Sequence, residues 1–301
     1  MEDVHQLKVF LAVADNLSFT RAAEVLFLTQ SAVSHQISKL ERQLGSALFV
    51  RQGRQVSLTD AGQTLVPHAR RVFAAIRDAE AAVQLAARPD AGVLRIGASS
   101  TACQHLIPEA LREFRESFPA YSLAISPGDG PVVADNVLEG AIDLGVMVRL
   151  DRRPKLTYYD LFTDELGFLV SPLHPWAKAG KVERRQIGQQ KMVLYSRNSA
   201  TFRIVERYFV KMQAELRDWI ELGSMEAIKE LVKLGLGASI VARWIARNEL
   251  AEKSLVWLPL PGGQVKRHWC IATRADKNLS VAEQTFVGLC QAVAAWLGEG
   301  K

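Results

Sequence analysis

The chain has 301 residues, of which 49% are hydrophobic and 23% charged, and 37 Lys and Arg against 32 Asp and Glu give it a formal net charge of +5. That length favours two folded domains over one oversized core, and the composition excludes a disordered or fibrous chain. The lack of any run of 18 apolar residues excludes a membrane-spanning helix, and three scattered cysteines, Cys103, Cys270 and Cys290, with no C-x-x-C, exclude a disulfide framework or an ordinary zinc site.

The opening MEDVHQLKVFLAVADNLSF lacks the basic, apolar and small-residue regions of a secretory signal, so a reduced cytoplasmic protein is expected. Leu7, Phe10, Leu11 and Ala14 recur at helical spacing and predict a helix over 4–15. Ser18 caps a second helix with Phe19, Ala22, Ala23 and Leu26 inward, and Thr29 caps a third that stops at Gly45. The residues FLTQ form the turn between them. On the third helix Val33, Ile37, Leu40 and Leu44 share one side, and Ser31, Ser34, His35 and Ser38 gather opposite.

Surface helices usually point long charged side chains outward. This stripe is short, neutral and rich in donors and acceptors, which suits a surface that presses against a partner. A helix-turn-helix whose second helix enters the DNA major groove gives it that use. Gln30 can pair with adenine through its amide, and the serines can bond bases or phosphate. Lys39, Arg42, Arg51 and Arg54, less Glu41, leave three net positive charges nearby. LFVRQGRQVSLT alternates and turns at Gly53, which predicts a two-stranded wing from which Arg51 or Arg54 can reach a minor groove.

Thr59 begins a long helix in which Leu65, Ala69, Val72, Ile76, Ala79, Val83 and Ala86 alternate at spacings of four and three. This heptad seam asks for a partner helix, packing within its own domain being the alternative. Pro67 is expected to kink the helix, and Arg88 to Gly92 read as a hinge. Strands and helices then alternate: VLRIGAS, LIPEALREFRESF, SLAISPG, VVADNVLEGA and IDLGVMV, resuming through LGFLVS, MVLYS, FRIVERYFVKMQ, MEAIKELVKLGLG, ASIVA and WCIATR to a last helix from Val281. That grammar predicts a parallel sheet with crossover helices, binding its ligand beyond the carboxyl ends of the strands.

Small polar residues occupy those ends. Ser99, Ser100 and Thr101 open one helix, and Ser196, Asn198, Ser199 and Thr201 precede another. Both are candidate anion sites, and both also read as ordinary helix caps. Gly128, Met147 and Arg149 end the second and third strands, and Glu226 begins a further helix. Arg149 can pair with a carboxylate or sit in solvent. His68 and His105 read as isolated surface residues, Gly235 and Gly237 as helix capping, and Cys103 as a packed or idle thiol. No metal-binding or nucleophile signature is found.

The run S-F-T-R-A-A-E-x-L-x-x-T-Q-S-A-V-S-x-Q-I-x-x-L-E-x-x-L-G-x-x-L-F-x-R, followed by L-T-x-A-G, resembles the DNA-binding region of the LysR-type transcriptional regulators over residues 5–65. The resemblance implies a winged helix-turn-helix (1–59), a linker and dimerisation helix (60–88), a hinge (89–92) and an effector-binding domain (93–301). The last is a two-lobed α/β fold of the type-II periplasmic-binding kind, with lobe I at 93–162 and 269–298 and lobe II at 165–266. It implies base or phosphate contacts by Gln30, Ser31, Ser34, His35 and Lys39, backbone contacts by Thr20, Arg21 and Thr29, and wing contacts by Arg51 and Arg54. Ser38 completes the stripe. His35 stands where arginine is common, and a neutral imidazole lacks that residue's bidentate grip on guanine.

The implied partners are double-stranded promoter DNA, further copies of the chain in a dimer and homotetramer, RNA polymerase and a small anionic effector of unknown identity. No cofactor is implied. A solute-binding protein on the same two-lobed fold would explain only residues 93–301, and an enzyme on that fold would need a catalytic constellation that is not found.

Overall fold

The computed structural model describes residues 2–52, 55–87, 91–151 and 153–299. Its contacts divide into two units, Met1–Val83 with Leu138–Ala141 and Gln84–Val137 with Ile142–Lys301. The wing residues Gly53 and Arg54, the Arg51 and Ala86 side chains, and the hinge residues Arg88, Pro89 and Asp90 lie outside what is described.

In the first unit α1 (Glu2–Asn16), α2 (Phe19–Leu26) and α3 (Gln30–Leu44) pack around Val9, Phe10, Val13, Phe19, Ala22, Ala23, Val33, Ile37 and Leu40. The Ser18 hydroxyl accepts from the Arg21 N–H and caps α2. Phe27 then adopts a left-handed conformation, φ 55°, and turns the chain back toward α3. Thr29 caps α3 by accepting from the Ala32 N–H, so the turn is Phe27 to Thr29 and Gln30 already belongs to the helix. Leu44 departs from expectation: it is half exposed, because Gly45 ends α3 at φ 67° where the helix has already passed its core.

The wing pairs β1 (Phe49–Gln52) with β2 (Gln55–Leu58) in antiparallel register. Phe49 seats it, its ring centroid 5.5 Å from Phe10 and 5.6 Å from Phe19. Thr59 then begins α4 (Asp60–Ala87): its hydroxyl accepts from the Gly62 N–H and donates to the Ala47 carbonyl. Helix α4 continues through Pro67, whose missing N–H falls within the second turn.

The second unit opens with β3 (Ala91–Ala98), so Ala91 and Gly92 are strand and not hinge. In chain order follow α5 (Ser100–His105), α6 (Ile107–Ser117), β4 (Ala120–Pro127), α7 (Gly130–Leu138), β5 (Leu144–Val148) and β6 (Leu156–Val170). After β6 come α8 (Pro175–Ala179), a 3-10 segment (Arg184–Gln189), β7 (Met192–Tyr195), α9 (Ala200–Met212), β8 (Trp219–Leu222) and α10 (Met225–Lys233). Next are β9 (Ser239–Ala242), a 3-10 turn (Arg243–Ala246), α11 (Arg247–Ala251), β10 (Val256–Pro259), β11 (Val265–Arg274) and α12 (Val281–Glu299).

The expected parallel sheet is found for β4-β3-β5 and for the pair β7-β8. Elsewhere it is corrected: β11 pairs antiparallel with β5 and β6, and β9 and β10 pair antiparallel with β6. The reason lies in connectivity. Two hydrophobic cores form, one around Leu94, Ile96, Phe114, Leu144 and Phe286, the other around Phe168, Trp176, Leu194, Val205 and Ile240. Strand β6 carries the chain from the first to the second, and β11 brings it back beside β6, a return that requires antiparallel pairing.

The L-T-x-A-G motif gains a physical reason here. A Cβ on Gly62 would stand 2.2 Å from the Leu48 carbonyl oxygen, so α4 can start against the wing only without a side chain. Gly62→Ala is expected to destabilise the first unit by about 1–3 kcal/mol through overpacking, read as an earlier urea midpoint for that unit's unfolding.

Candidate functional site

The outer face of α2 and α3 presents the stripe read from the sequence. Thr20, Arg21, Thr29, Gln30, Ser31, His35 and Ser38 are exposed, and Ser34 and Lys39 are half-buried at its edges. The stripe is internally bonded: Gln30 Nε2 donates to Ser34 Oγ at 3.1 Å, and the Thr29 and Ser31 hydroxyls lie 3.0 Å apart. These bonds hold the polar groups in one layer. His35, Lys39 and Arg42 border a shallow groove along the helix, and Arg42 Nε donates to the Ser38 carbonyl. Phe27 was legible only as a turn residue. It is 95% exposed beside the start of α3.

In the second unit a cleft of about 340 Å³ lies between the two cores. It gathers Ser99, Ser100, Thr101 and Gly128 from one side and Ser196, Ser199 and Thr201 from the other. Ser99 and Ser199 use their hydroxyls as helix caps, accepting from the Ala102 and Phe202 N–H groups, so the capping reading holds for those two.

Four expected residues are not brought to the cleft. Met147 is fully buried on the opposite face of β5, since alternation along a strand sends it away from its neighbour Val148, which does line the cleft. Arg149 projects outward, 3.3 Å from Asp160 and with its guanidinium 4.9 Å from the centre of the Tyr158 ring. Asn198 is exposed on the loop before α9. Glu226 pairs with Lys229 at 2.9 Å, and it is Met225, one residue earlier, that reaches the cleft.

Sequence reading missed the cleft's charged and aromatic residues: Arg267, Trp269, Tyr195 and Asp129. Arg267 is 2% exposed. Its Nε donates to Asp164 Oδ1 and its Nη2 to Asp164 Oδ2, while Nη1 donates to Thr201 Oγ1 at 2.8 Å. Burial would lower the guanidinium pKa, but the adjacent Asp164 carboxylate overrides this and raises it, so Arg267 is charged at every physiological pH. Three of its five N–H groups are thereby used, and the guanidinium also lies against the Tyr195 hydroxyl. The Tyr195 hydroxyl is buried and makes no hydrogen bond of ordinary geometry, though Arg267 is near enough for its charge to act on it. Burial pushes that phenol up to about 12, so it is a neutral donor. The signal for Arg267 in the sequence was weak: one of two arginines in VKRHWCIATR, flanked by Lys266 and His268.

Two background readings also change. His105 is not a surface residue: its ring stands edge-on to Trp244 at 5.5 Å, and desolvation with the charge of Lys229 lowers its pKa. Burial raises the Cys103 thiol pKa, the reverse of what an activated thiol requires. Among the described residues there is no cluster of His, Cys, Asp and Glu that could hold a metal ion.

Two family models match the chain. Residues 4–63 match "Bacterial regulatory helix-turn-helix protein, lysR family", and residues 87–295 match "LysR substrate binding domain". The chain belongs to the LysR family. It is therefore a DNA-binding transcriptional regulator rather than an enzyme, with a second unit of the kind that holds a small molecule.

Similar proteins include the transcriptional regulator CfxR of Cupriavidus necator, 32% identical over 94% of this chain and 89% of the relative. A RuBisCO operon transcriptional regulator of Allochromatium vinosum is 30% identical over 94% and 93%. Among solved structures, ArgP of Mycobacterium tuberculosis matches with a TM-score of 0.70 at 20% identity, over 96% of each chain. The effector-binding domain of QuiR, solved with shikimate, matches with a TM-score of 0.59 at 18% identity, over 68% of this chain and 98% of that one.

Asp129 gives this LysR-family cleft a pH signature. Burial raises its carboxyl above the unfolded value of 3.8, so the folded chain binds the proton more tightly and loses stability as pH rises through that window. Asp129→Asn is expected to raise the unfolding temperature at neutral pH. The gain should shrink on acidification and vanish below pH 3.8, where the carboxyl is protonated in both states; thermal scans across pH read it directly.

Proposed function

We propose that this regulator binds promoter DNA through the Gln30–Lys39 face of α3 and is controlled by a small anion that also carries hydroxyl or ammonium donors. The observation that carries the effector reading is the convergence on one cleft of two capped helix starts, α5 and α9, with the buried Arg267 between them and Asp129 at the rim. Free N–H groups at helix starts, with the Arg267 guanidinium beside them, favour an anion. Asp129, when ionised, can only accept and favours a donor on the same ligand, whereas the serine and threonine hydroxyls can donate to the anion or accept. Closure of the two lobes about β6 and β11 would couple ligand to DNA, provided the ligand binds the closed state more tightly.

On this reading the working form is a dimer through α4, further assembled into a tetramer, acting in the cytoplasm on promoter DNA and RNA polymerase. Support for the dimer comes from the heptad seam. Val72, Ile76 and Val83 are 39%, 36% and 72% exposed on one face of α4, while Ala69 of the same seam is buried. Lys39, Arg42, Arg51 and Arg54 supply phosphate contacts, with Thr20, Arg21 and Thr29 at the backbone. Regulators of RuBisCO operons among the relatives make carbon-fixation promoters the first DNA to try.

A thermal-shift screen against hydroxy acids, amino acids and sugar phosphates tests the effector. A ligand of the folded state at 100 times its Kd adds about 2.7 kcal/mol. A hit that Thr101→Val abolishes supports the cleft; a flat screen across all three classes removes it. For DNA, Gln30→Ala or Ser34→Ala is expected to reduce discrimination between operator and random sequence by about 1–3 kcal/mol. Equal loss on both DNAs, measured by filter binding, reassigns the residue to the phosphate backbone.

A further inference from the structure

Helix α5 faces the second lobe at both of its ends. At its start Ser100 and Thr101 line the cleft. At its other end the His105 ring stands edge-on to Trp244, with the ring centres 5.5 Å apart. That contact crosses between the two cores. Ala102 and Leu106, which flank His105 in the chain, belong to one core, Met225, Ile228 and Val232 of α10 belong to the other, and Trp244 packs against both.

Beside the ring lies a charged network that is closed within the second lobe. Lys229 of α10 is 4% exposed, and its Nζ stands 2.9 Å from Glu226 Oε1 and 2.9 Å from Glu249 Oε1 of α11. The same Nζ donates to the Ile245 carbonyl at 3.5 Å. His105 takes no part in these bonds: its Nε2 is buried and has no hydrogen-bond partner among the described residues. A neutral imidazole tolerates that position. A proton would set a desolvated charge there with no acceptor on Nε2 and with the Lys229 ammonium nearby.

The charged groups that act on the ring are Lys229 and Glu226 on α10 and Glu249 and Arg247 on α11. Desolvation, then Lys229, holds the imidazole below its usual 6.5; the two glutamates oppose this and Arg247 adds to it. All four lie on the second lobe, so they act on His105 only while the lobes are in contact.

We propose that His105 is a proton-operated latch between the lobes. Neutral, it lets the end of α5 rest on Trp244 beside the Lys229 network; protonated, it is expelled from that contact, and the walls of the cleft separate with it. The proton thus acts as a ligand of the separated state. Because the joined state binds the proton less tightly, the latch contributes fully above pH 6.5 and is lost as pH falls from 6.5 through the lowered value. Acid therefore opposes any ligand that needs the cleft closed, a consequence that rests on the effector reading above; the latch itself does not.

Amide hydrogen exchange of the full chain tests it with no effector added, so the latch can fail or hold whatever binds the cleft. Between about pH 7.5 and 5.5, after correction for the intrinsic rate, protection of residues 100–105 and 243–251 is expected to fall at least about threefold. Strands β3 and β5, inside one core, should keep theirs. In His105→Gln, neutral at every pH, the loss should disappear. Histidine C2–H exchange on the unaltered chain supplies a second measurement if that variant does not fold: His105 should titrate below 6.5, at the midpoint of the protection loss. A His105 pKa at or above 6.5 overturns the proposal. So does protection that ignores pH, an equal loss in His105→Gln, or a loss shared equally by β3 and β5, which would make His105 a residue of general stability.

Discussion

The second unit depends on the Asp164 carboxylate. It accepts from Arg267 Nε and Nη2, from Trp244 Nε1 and from Trp269 Nε1, and its side chain is only 3% exposed. Moving two such charges out of water costs several kcal/mol each, recovered only when nearly every polar atom of the pair is bonded, as here. Arg267 and Asp164 face each other across β6 and β11, the strands that join the two cores. The pair thus fixes the register of the connection, and a pair so fully bonded rewards one arrangement of those strands over its neighbours.

From that point the chemistry of two cavities follows. The face of Arg267 that Asp164 does not use reaches Thr201 and the cleft, beside the two helix starts. Of the indoles bonded to the same carboxylate, Trp269 lines the cleft and Trp244 lines a separate cavity of about 470 Å³. A carboxylate buried for structural reasons thereby connects two cavities. Any movement of β6 against β11 must carry the pair with it or break it, and breaking such a pair costs about 3–5 kcal/mol.

The first unit works by local rules. Ser18, Thr29 and Thr59 each bond a helix start, Gly45 ends α3, and Phe27 makes the turn with a left-handed backbone. Each effect acts within a few residues, so the helices and the polar stripe were legible in the chain. Leu44 was misread for the same reason: helical periodicity continues past the point where the core ends, and nothing local marks that point.

The sequence by itself determined the winged helix-turn-helix, the residues of its exposed polar stripe, the heptad spacing of α4 and the helix starts at the cleft. All of these rest on spacing and capping between near neighbours. The tertiary structure alone decided the antiparallel return of β11, the turning away of Met147, Arg149, Asn198 and Glu226, and the pairing of Arg267 with Asp164. Those partners lie 103 residues apart, and no periodicity in the chain connects them. A strand's alternation says that neighbouring residues face opposite ways, but which way is inward depends on what packs against each face. That is settled only when the strands meet.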